Sequence, residues 1–219
     1  MKRELRITED GTHTLYVPEL DEPYHSIHGA LRESQHVFVN HGLRKVEKSP
    51  LRILEIGFGT GLNALLTLAE TGKAGIRTYY HTVEKYPLLE EEYLQINYEQ
   101  FVKGVDPGSL ARMHSAPWEE EVPVSDHFLL FKERSDFREM DPGENYDLVY
   151  FDAFAPQKQP YLWTEKIFCG IFLIMNPGGL LVSYTVRGSV RRALVSCGFH
   201  VEKLPGPPGK REIIRAIKS

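Results

Sequence analysis

The stretch Leu54-Glu55-Ile56-Gly57-Phe58-Gly59-Thr60-Gly61 indicates the fold class of this 219-residue chain. It starts as a short apolar strand, becomes rich in glycine, and leads into a segment of helical composition that ends near Thr71. Glycine at a strand-to-helix turn lets the backbone turn sharply and approach a ligand closely, since any Cβ atom there would collide with it. The sequence therefore predicts a ligand-binding loop in an α/β sheet.

The spacing of the glycines distinguishes between two ligand classes. A nicotinamide-binding loop would carry its third glycine at position 62, which is Leu62 here. The glycines stand instead at positions 57, 59 and 61, with an acidic residue two positions before the first, which resembles the donor loop of methyltransferases. A carboxylate suits the sulfonium and ammonium of S-adenosylmethionine better than it suits a pyrophosphate. We expect this ligand to be bound by Glu55, Gly57, Phe58, Gly59 and Gly61; a turn that serves packing alone is the alternative.

Strands and helices alternate along the chain after residue 50. The pattern predicts strands at 51–56, 78–84, 127–132, 146–151 and 180–184, helices at 61–71, 87–97 and 189–197, and an irregular stretch at 103–126. Alternation of this kind is typical of a mostly parallel sheet covered on both faces. The last two strands, 199–204 and 212–217, are joined by a loop too short for a helical crossover and should be antiparallel. We expect an α/β, Rossmann-like class I methyltransferase fold with a seven-stranded sheet ending in an antiparallel hairpin.

The first 48 residues precede this pattern. Residues 3–17 alternate polar and apolar side chains around Asp10-Gly11, which predicts a hairpin, and residues 26–42 have helical spacing with Ser26 as the N-cap. No linker rich in Gly, Ser or Pro follows. We therefore expect an N-terminal extension at 1–48 and a methyltransferase domain at 49–219 that form one compact unit.

Three acidic residues follow later predicted strands, at the sheet edge where ligands of open α/β sheets bind. Glu84 ends the second strand, at the spacing of a carboxylate that binds ribose hydroxyls; a surface helix cap is the alternative. Asp136 follows the third strand, and we expect it to face the adenine. Asp152 ends the fourth strand and is the expected catalytic residue, which would orient an amine acceptor and take up its proton. A turn before Pro156 is the alternative role for Asp152.

Composition and cysteine content favour a cytoplasmic protein. The hydrophobic content of 42% is normal for a packed core, and no apolar run approaches the ~18 residues of a membrane helix. The N-terminus lacks the apolar stretch of a signal peptide. Cys169 and Cys197 lie in apolar stretches and are expected to be reduced, buried thiols. We expect no metal site.

Charge is distributed unevenly along the chain. From Arg187 onward there are eight Lys or Arg and two Glu, a balance of +6, which leaves 18 basic and 28 acidic residues, a balance of −10, in the rest. A basic C-terminal face on an acidic body is suited to a polyanion. A solvated surface without a partner explains the same charges.

Several short motifs together resemble one family. They are Tyr24-His25-Ser26, Gly29-Ala30, Glu33-Ser34, Val37-Phe38, the loop from Glu55 to Asn63, Asp152-Ala153-Phe154-Ala155-Pro156, Leu162-Trp163, Val190-Arg191-Arg192 and Gly209-Lys210-Arg211-Glu212. The combination is similar to the methyltransferase module of the MnmC family, bacterial enzymes that modify the wobble uridine of tRNA. The resemblance covers nearly the whole chain. Ser135 stands before Asp136 where the family pattern has glycine.

The resemblance implies a substrate and its contacts. Methyl transfer to the aminomethyl group on carbon 5 of the wobble uridine is implied, with tRNA as partner and a separate enzyme that prepares the amine, because the flavin oxidase domain of the family is absent. The substrate-binding residues would be Tyr24, His25, Ser26, Arg191, Arg192, Lys210 and Arg211, with Tyr24 or His25 assisting Asp152. A methyltransferase for a small-molecule amine, a nicotinamide-dependent oxidoreductase and a non-catalytic donor-binding protein are the alternatives.

Overall fold

A computed structural model describes residues 1–139, 143 and 145–219. A small antiparallel sheet is formed by β1 (Glu4–Ile7), β2 (His13–Val17) and β3 (Glu22–Pro23). The main sheet is formed by β4 (Leu51–Ile56), β5 (Thr78–Val83), β6 (Glu121–Ser125), β7 (Phe128–Glu133), β8 (Tyr146–Phe151), β9 (Met175–Ser183), β10 (Phe199–Pro205) and β11 (Glu212–Lys218). Its strand order is β10-β11-β9-β8-β4-β5-β7-β6.

The main sheet confirms the predicted α/β class. Its five central strands, β7, β5, β4, β8 and β9, pair in parallel, while β10 and β11 form the expected antiparallel hairpin. In the described parts of the chain the sheet has eight strands rather than the seven predicted, because β6 pairs antiparallel with β7 at one edge. That strand is partly or fully exposed along its whole length and contains Pro123. The segment is short, and although Val122 and Val124 alternate and pack against the core, a Pro between them argues against a strand in the sequence.

Among the described residues, six α-helices cover the sheet: α1 (Ala30–Ser34), α2 (Leu62–Ala74), α3 (Glu90–Tyr93), α4 (Ser109–Ser115), α5 (Glu165–Ile174) and α6 (Gly188–Ser196). The helix predicted at 87–97 is reduced to the single turn of α3, which has no buried residue to stabilise a longer helix. The helices α4 and α5 lie where the sequence pattern predicts none. The end of α5 is a continuous apolar run, from which periodicity cannot assign a helix.

The sheet separates two hydrophobic layers. One contains Leu62 and Leu65 of α2, and the side chains of Ala30 and Phe38 from the N-terminal segment pack into the same layer. The other contains apolar residues of α5 and α6, such as Phe168 and Leu194. The N-terminal segment therefore shares a core with the main sheet.

Two predictions made from local patterns are wrong. Ser26 does not cap the helix, since α1 begins only at Ala30 and has Gly29, without a side-chain hydrogen bond, at its N-cap. Cys169 and Cys197 are not reduced, buried thiols: they are partly exposed and form a disulfide, because the packing of α5 against α6 brings their Cα atoms to 4.8 Å. The cysteines therefore no longer support a reducing compartment. Within the described ranges, no helix has the length and apolar character of a membrane span.

Candidate active site

A cavity of about 300 Å³ opens at the carboxyl ends of the parallel strands. Its lining comes from the segments that follow β4, β5, β7 and β8, joined by residues 22–26 of the N-terminal segment. From the C-terminal half, Tyr184 and Lys210 complete the wall. The cavity thus lies at the sheet edge where the sequence predicts it.

The glycine loop forms a cradle that side chains would fill. Gly57 has a φ of +96°, and a Cβ atom there would lie 2.8 Å from the carbonyl oxygen of Asp152. At Gly59, with a φ of +51°, a Cβ atom would lie 3.0 Å from the Tyr24 ring. Gly57, Phe58 and Gly59 line the cavity as predicted. Gly61 does not line it, and instead caps the N-terminus of α2 at a φ of +76°.

Glu84 connects the glycine loop to the end of β5. Its carboxylate accepts hydrogen bonds from the backbone N–H groups of Gly59 (3.0 Å) and Tyr86 (2.7 Å). Because the same residue lines the cavity, it both fixes the loop and presents a negative charge to a ligand. The arrangement fits the predicted contact with ribose hydroxyls, which remains a prediction.

Asp152 follows the last residue of β8 and lines the same cavity as Glu84. The side-chain amide of Asn63 donates to its Oδ2 atom over 2.8 Å. Burial raises the pKa of Asp152 to about 7, with Asn63 opposing the shift and the nearby Glu33 adding to it. A carboxyl group that ionises near neutral pH is suited to accept a proton.

Glu55 lies behind the loop rather than in the cavity. It is fully buried, it is absent from the lining, and its Oε2 atom accepts a hydrogen bond from the Thr82 hydroxyl over 2.8 Å. Burial raises the pKa of Glu55 to about 8. The expectation that Glu55 contacts the donor directly does not hold in this geometry, because strand side chains point to the faces of the sheet and that of Glu55 is buried under the layer that covers its face.

Comparison with known proteins identifies the ligand that fits this cradle. Residues 124–219 match the family described as S-adenosyl-L-methionine-dependent methyltransferase. The crystal structure of MNMC2 from Aquifex aeolicus superposes with a TM-score of 0.79 at 29% sequence identity, and the match covers 100% of this chain and 71% of that one. The chain is an S-adenosyl-L-methionine-dependent methyltransferase. Spermidine synthase from Thermotoga maritima, at a TM-score of 0.58 and 13% identity, shares the fold alone.

The methyltransferase also resembles one part of longer proteins. It is 32% identical over 212 residues to the "tRNA 5-methylaminomethyl-2-thiouridine biosynthesis bifunctional protein MnmC" of Cupriavidus necator, a match covering 89% of this chain and 31% of that protein. The protein of the same name from Magnetococcus marinus is 32% identical over 220 residues, covering 93% and 32%. The resemblance to the MnmC methyltransferase module is thus confirmed, and the chain spans about a third of the length of these curated relatives.

Asp136 of the methyltransferase lines the cavity as predicted, but its carboxylate is already hydrogen-bonded. Its oxygens accept from the guanidinium and backbone N–H of Arg138 and, over 2.9 Å, from the ammonium of Lys85. These donors, Arg138 foremost, hold the pKa of Asp136 well below its usual range. An adenine contact, which stays a prediction, would have to share this carboxylate with both cations.

The three N-terminal residues Tyr24, His25 and Ser26 all line the cavity of the methyltransferase. The Tyr24 hydroxyl accepts a hydrogen bond from the Arg3 guanidinium over 2.9 Å, and burial raises its pKa, so the phenol stays protonated. The Nε2 atom of His25 shares a hydrogen bond with the Thr60 hydroxyl over 2.8 Å, and burial lowers its pKa to about 4. Both residues therefore support the glycine loop. At pH 7 the Tyr24 phenol keeps its proton, and the His25 imidazole is neutral but too weak a base to retain a proton taken from an amine.

The predicted basic substrate contacts separate into two groups. Arg191, Arg192 and Arg211 are exposed, lie outside the cavity lining and form no ion pair with the described residues. Lys210 points into the cavity instead, where its ammonium pairs with Glu33 and lies 4.0 Å from the centre of the Tyr184 ring. The expectation of a phosphate contact at Lys210 is revised accordingly, because its charge is engaged inside the enzyme.

Several cavity residues carry no prediction of their own. Asn63 and Glu33 belong to the family motifs, which include their positions but do not indicate their roles. Glu22 accepts a hydrogen bond from the backbone N–H of Ala155 over 3.1 Å, and burial raises its pKa. No local sequence signal indicates Glu22 or Tyr184, since both reach the cavity through long-range contacts.

Proposed function

We propose that the enzyme transfers a methyl group from S-adenosylmethionine to the aminomethyl nitrogen on carbon 5 of the tRNA wobble uridine. The names of the curated relatives support this acceptor, and the match runs along nearly the whole chain. Those relatives are about three times as long as this chain. The proposed acceptor is therefore the one that belongs to the methyltransferase module, which is the part that they share with this chain.

The position and protonation of Asp152 carry the proposal. An amine is mostly protonated in neutral solution, and it becomes a nucleophile only after it loses a proton. Asp152 lines the cavity beside the glycine loop, and its pKa of about 7 lets it bind an ammonium as a carboxylate and accept a proton. Glu22 lines the same cavity and favours a cationic acceptor when ionised, whereas the charge of Glu33 is balanced by Lys210.

The remaining residues hold and align the reactants. S-adenosylmethionine supplies an activated methyl group when bound, so the enzyme's main contribution is positioning, which can lower a barrier by ~7–11 kcal/mol. The backbone at Gly57 and Gly59 leaves room for the donor, and Glu84 would accept hydrogen bonds from its ribose. The N-terminal segment supplies the wall that faces the loop, and we therefore propose that residues 1–48 and 49–219 act as one compact unit.

The test uses labelled S-adenosylmethionine and tRNA that lacks the terminal methyl group, followed by nucleoside analysis. Label in the 5-methylaminomethyl nucleoside supports the proposal. Label found only in a small-molecule amine would show that this amine, and not tRNA, is the acceptor. Binding of donor without transfer to either would identify a non-catalytic donor-binding protein.

A further inference from the structure

Three buried polar atoms next to the site have no hydrogen-bond partner among the described residues. They are Oε1 of Glu55, Oδ1 of Asn63 and the hydroxyl oxygen of Tyr80. The side chains of Asn63 and Tyr80 both interact with the Glu55 carboxyl group. An unsatisfied buried acceptor costs about 1–3 kcal/mol. The Tyr80 hydroxyl can donate its own proton, but Oε1 of Glu55 and Oδ1 of Asn63 are both acceptors, which indicates that one further proton belongs between them.

The hydrogen-bond donors of Asn63 show where this proton is needed. Its amide nitrogen donates to Oδ2 of Asp152 over 2.8 Å, and neither hydrogen of that nitrogen satisfies Oε1 of Glu55. The amide oxygen of Asn63 is the atom left to meet Glu55. Two oxygen acceptors, one from an amide and one from a carboxylate, can form a hydrogen bond only if the carboxyl group is protonated.

The charges around Glu55 favour its neutral form. Burial is the main cause of its raised pKa, and the carboxyl of Asp152, across Asn63, raises it further, whereas hydrogen bonds with Thr82, Asn63 and Tyr80 lower it without outweighing burial. The Tyr150 phenol also lies near Glu55. Among the described residues, the groups that shift this pKa include no Lys or Arg. Asp152 is also faced by Glu33, Lys210 and the phenols of Tyr98 and Tyr184, and the Lys210 ammonium favours its ionised form. Of the two buried carboxyl groups, Asp152 is therefore the one that ionises first.

We propose that Glu55 is a neutral carboxylic acid in the working enzyme and acts as a positioning residue for Asp152. It donates a hydrogen bond to the amide oxygen of Asn63, and this bond fixes the amide so that its nitrogen donates to Asp152. One proton, held on Glu55, thus keeps Asp152 available as a carboxylate. An ionised Glu55 would attract the amide nitrogen of Asn63 and thereby turn the amide oxygen towards Asp152. Asp152 could form a hydrogen bond with that oxygen only if Asp152 itself were protonated.

Infrared spectroscopy of the intact protein tests the protonation state without any acceptor. With isotope-labelled glutamate at pH 7, the wild type should show a protonated-carboxyl band that is missing from Glu55→Gln. The same band should fade as the pH is raised through about 8. If the variant fails to fold, the pH titration of the wild-type band still decides the question. A wild-type spectrum without such a band at pH 7 would overturn the proposal.

Kinetics test the positioning role, which rests on the proposed proton acceptance by Asp152. In Glu55→Gln the new side-chain amide nitrogen replaces the carboxyl O–H as the hydrogen-bond donor to Asn63. Activity should therefore fall less than in Glu55→Ala, in which the loss of this one hydrogen bond should lower kcat/KM about tenfold. The acid limb of the kcat/KM profile should keep its midpoint in Glu55→Gln, because one neutral group replaces another. If Glu55 is ionised instead, removing its charge shifts that midpoint down by ~1 unit. If the infrared band is present but tRNA is not methylated, the proposed acceptor is refuted while the neutral state of Glu55 is supported.

Discussion

A methyl group added at Gly57 tests how closely the donor loop packs against the segment that carries Asp152. The new Cβ atom would lie 2.8 Å from the carbonyl oxygen of Asp152, a separation that real Cβ atoms essentially never show. The backbone of residue 57 fixes the position of the Cβ atom, and the atom that it meets is a backbone carbonyl oxygen, so no side-chain rotation can relieve the contact. Gly57→Ala must therefore move the loop, the strand end, or both.

Two costs determine the size of the effect. A residue other than glycine at a φ of +96° stores about 1–3 kcal/mol of backbone strain, and the overlap with Asp152 adds a similar amount. The lower entropy of the unfolded chain offsets about 0.4–1 kcal/mol. We expect Gly57→Ala to lower the free energy of unfolding by about 2–4 kcal/mol, which for a chain of this length lowers Tm by about 4–16 °C.

Thermal unfolding and calorimetry of S-adenosylmethionine binding check this expectation, with Gly72→Ala as the matched control. Gly72 lies in α2, has no atom within 4 Å of an added Cβ, and lies outside the cavity lining. The control should raise stability by about 0.5–1 kcal/mol through helix propensity and leave donor affinity unchanged. Gly57→Ala should weaken the donor by ~10-fold or more, because the displaced backbone forms the cradle. Wild-type Tm and donor affinity in Gly57→Ala would refute the close packing inferred here.

Three further changes address the donor, the proton and the acceptor. Glu84→Gln should weaken S-adenosylmethionine binding by ~10–100-fold in calorimetry, and unchanged affinity would remove Glu84 from the donor site. Asp152→Ala should still bind donor but turn over ~10²–10⁴-fold more slowly, while wild-type kcat/KM should rise with pH through about 7, because only the ionised carboxylate accepts a proton. A flat profile there would contradict this role. Replacing Arg191 and Arg192 by alanine should flatten the log–log salt dependence of tRNA affinity by ~1.5, and an unaltered slope would exclude this helix as a phosphate-binding face.

The donor half of the site follows from the sequence because its determinants are local. The glycine loop, Glu84 and the strand that ends at Asp152 each combine a buried apolar run with a polar or glycine residue at its carboxyl end. In a parallel sheet these ends lie side by side, so short motifs far apart in the chain can be placed together without knowledge of their contacts. The loop residue Gly61 and the buried Glu55 show the limit of this reasoning. A motif gives the register of a strand, but which side chains face the ligand depends on the packing behind it.

Features set by long-range packing could not be predicted in the same way. The edge strand β6 gains its structure from pairing with β7, and the disulfide depends on how α5 packs against α6. The alternation in β6 covers only five residues and contains Pro123, and the cysteine pair leaves no local signal of its partner. The N-terminal segment is similar: Tyr24 reaches the glycine loop only because Arg3 and Phe154 hold its ring there.

The basic C-terminal stretch shows why a count of charges along the chain differs from the charge that a partner meets. Four of its eight cations are engaged within the fold: Lys203 pairs with Glu212, Arg215 with Glu202 and Lys210 with Glu33, while Lys218 donates to the backbone. The cation that enters the cavity comes from the C-terminal hairpin, and its partner Glu33 comes from α1. The cavity wall that holds this pair is thus assembled from both ends of the chain, whereas the glycine loop, Glu84 and Asp152 follow strands that are neighbours in the sheet. Because a charge buried with its partner contributes little to long-range attraction, RNA binding by this enzyme would depend on the four remaining cations, Arg187, Arg191, Arg192 and Arg211, rather than on the whole basic stretch.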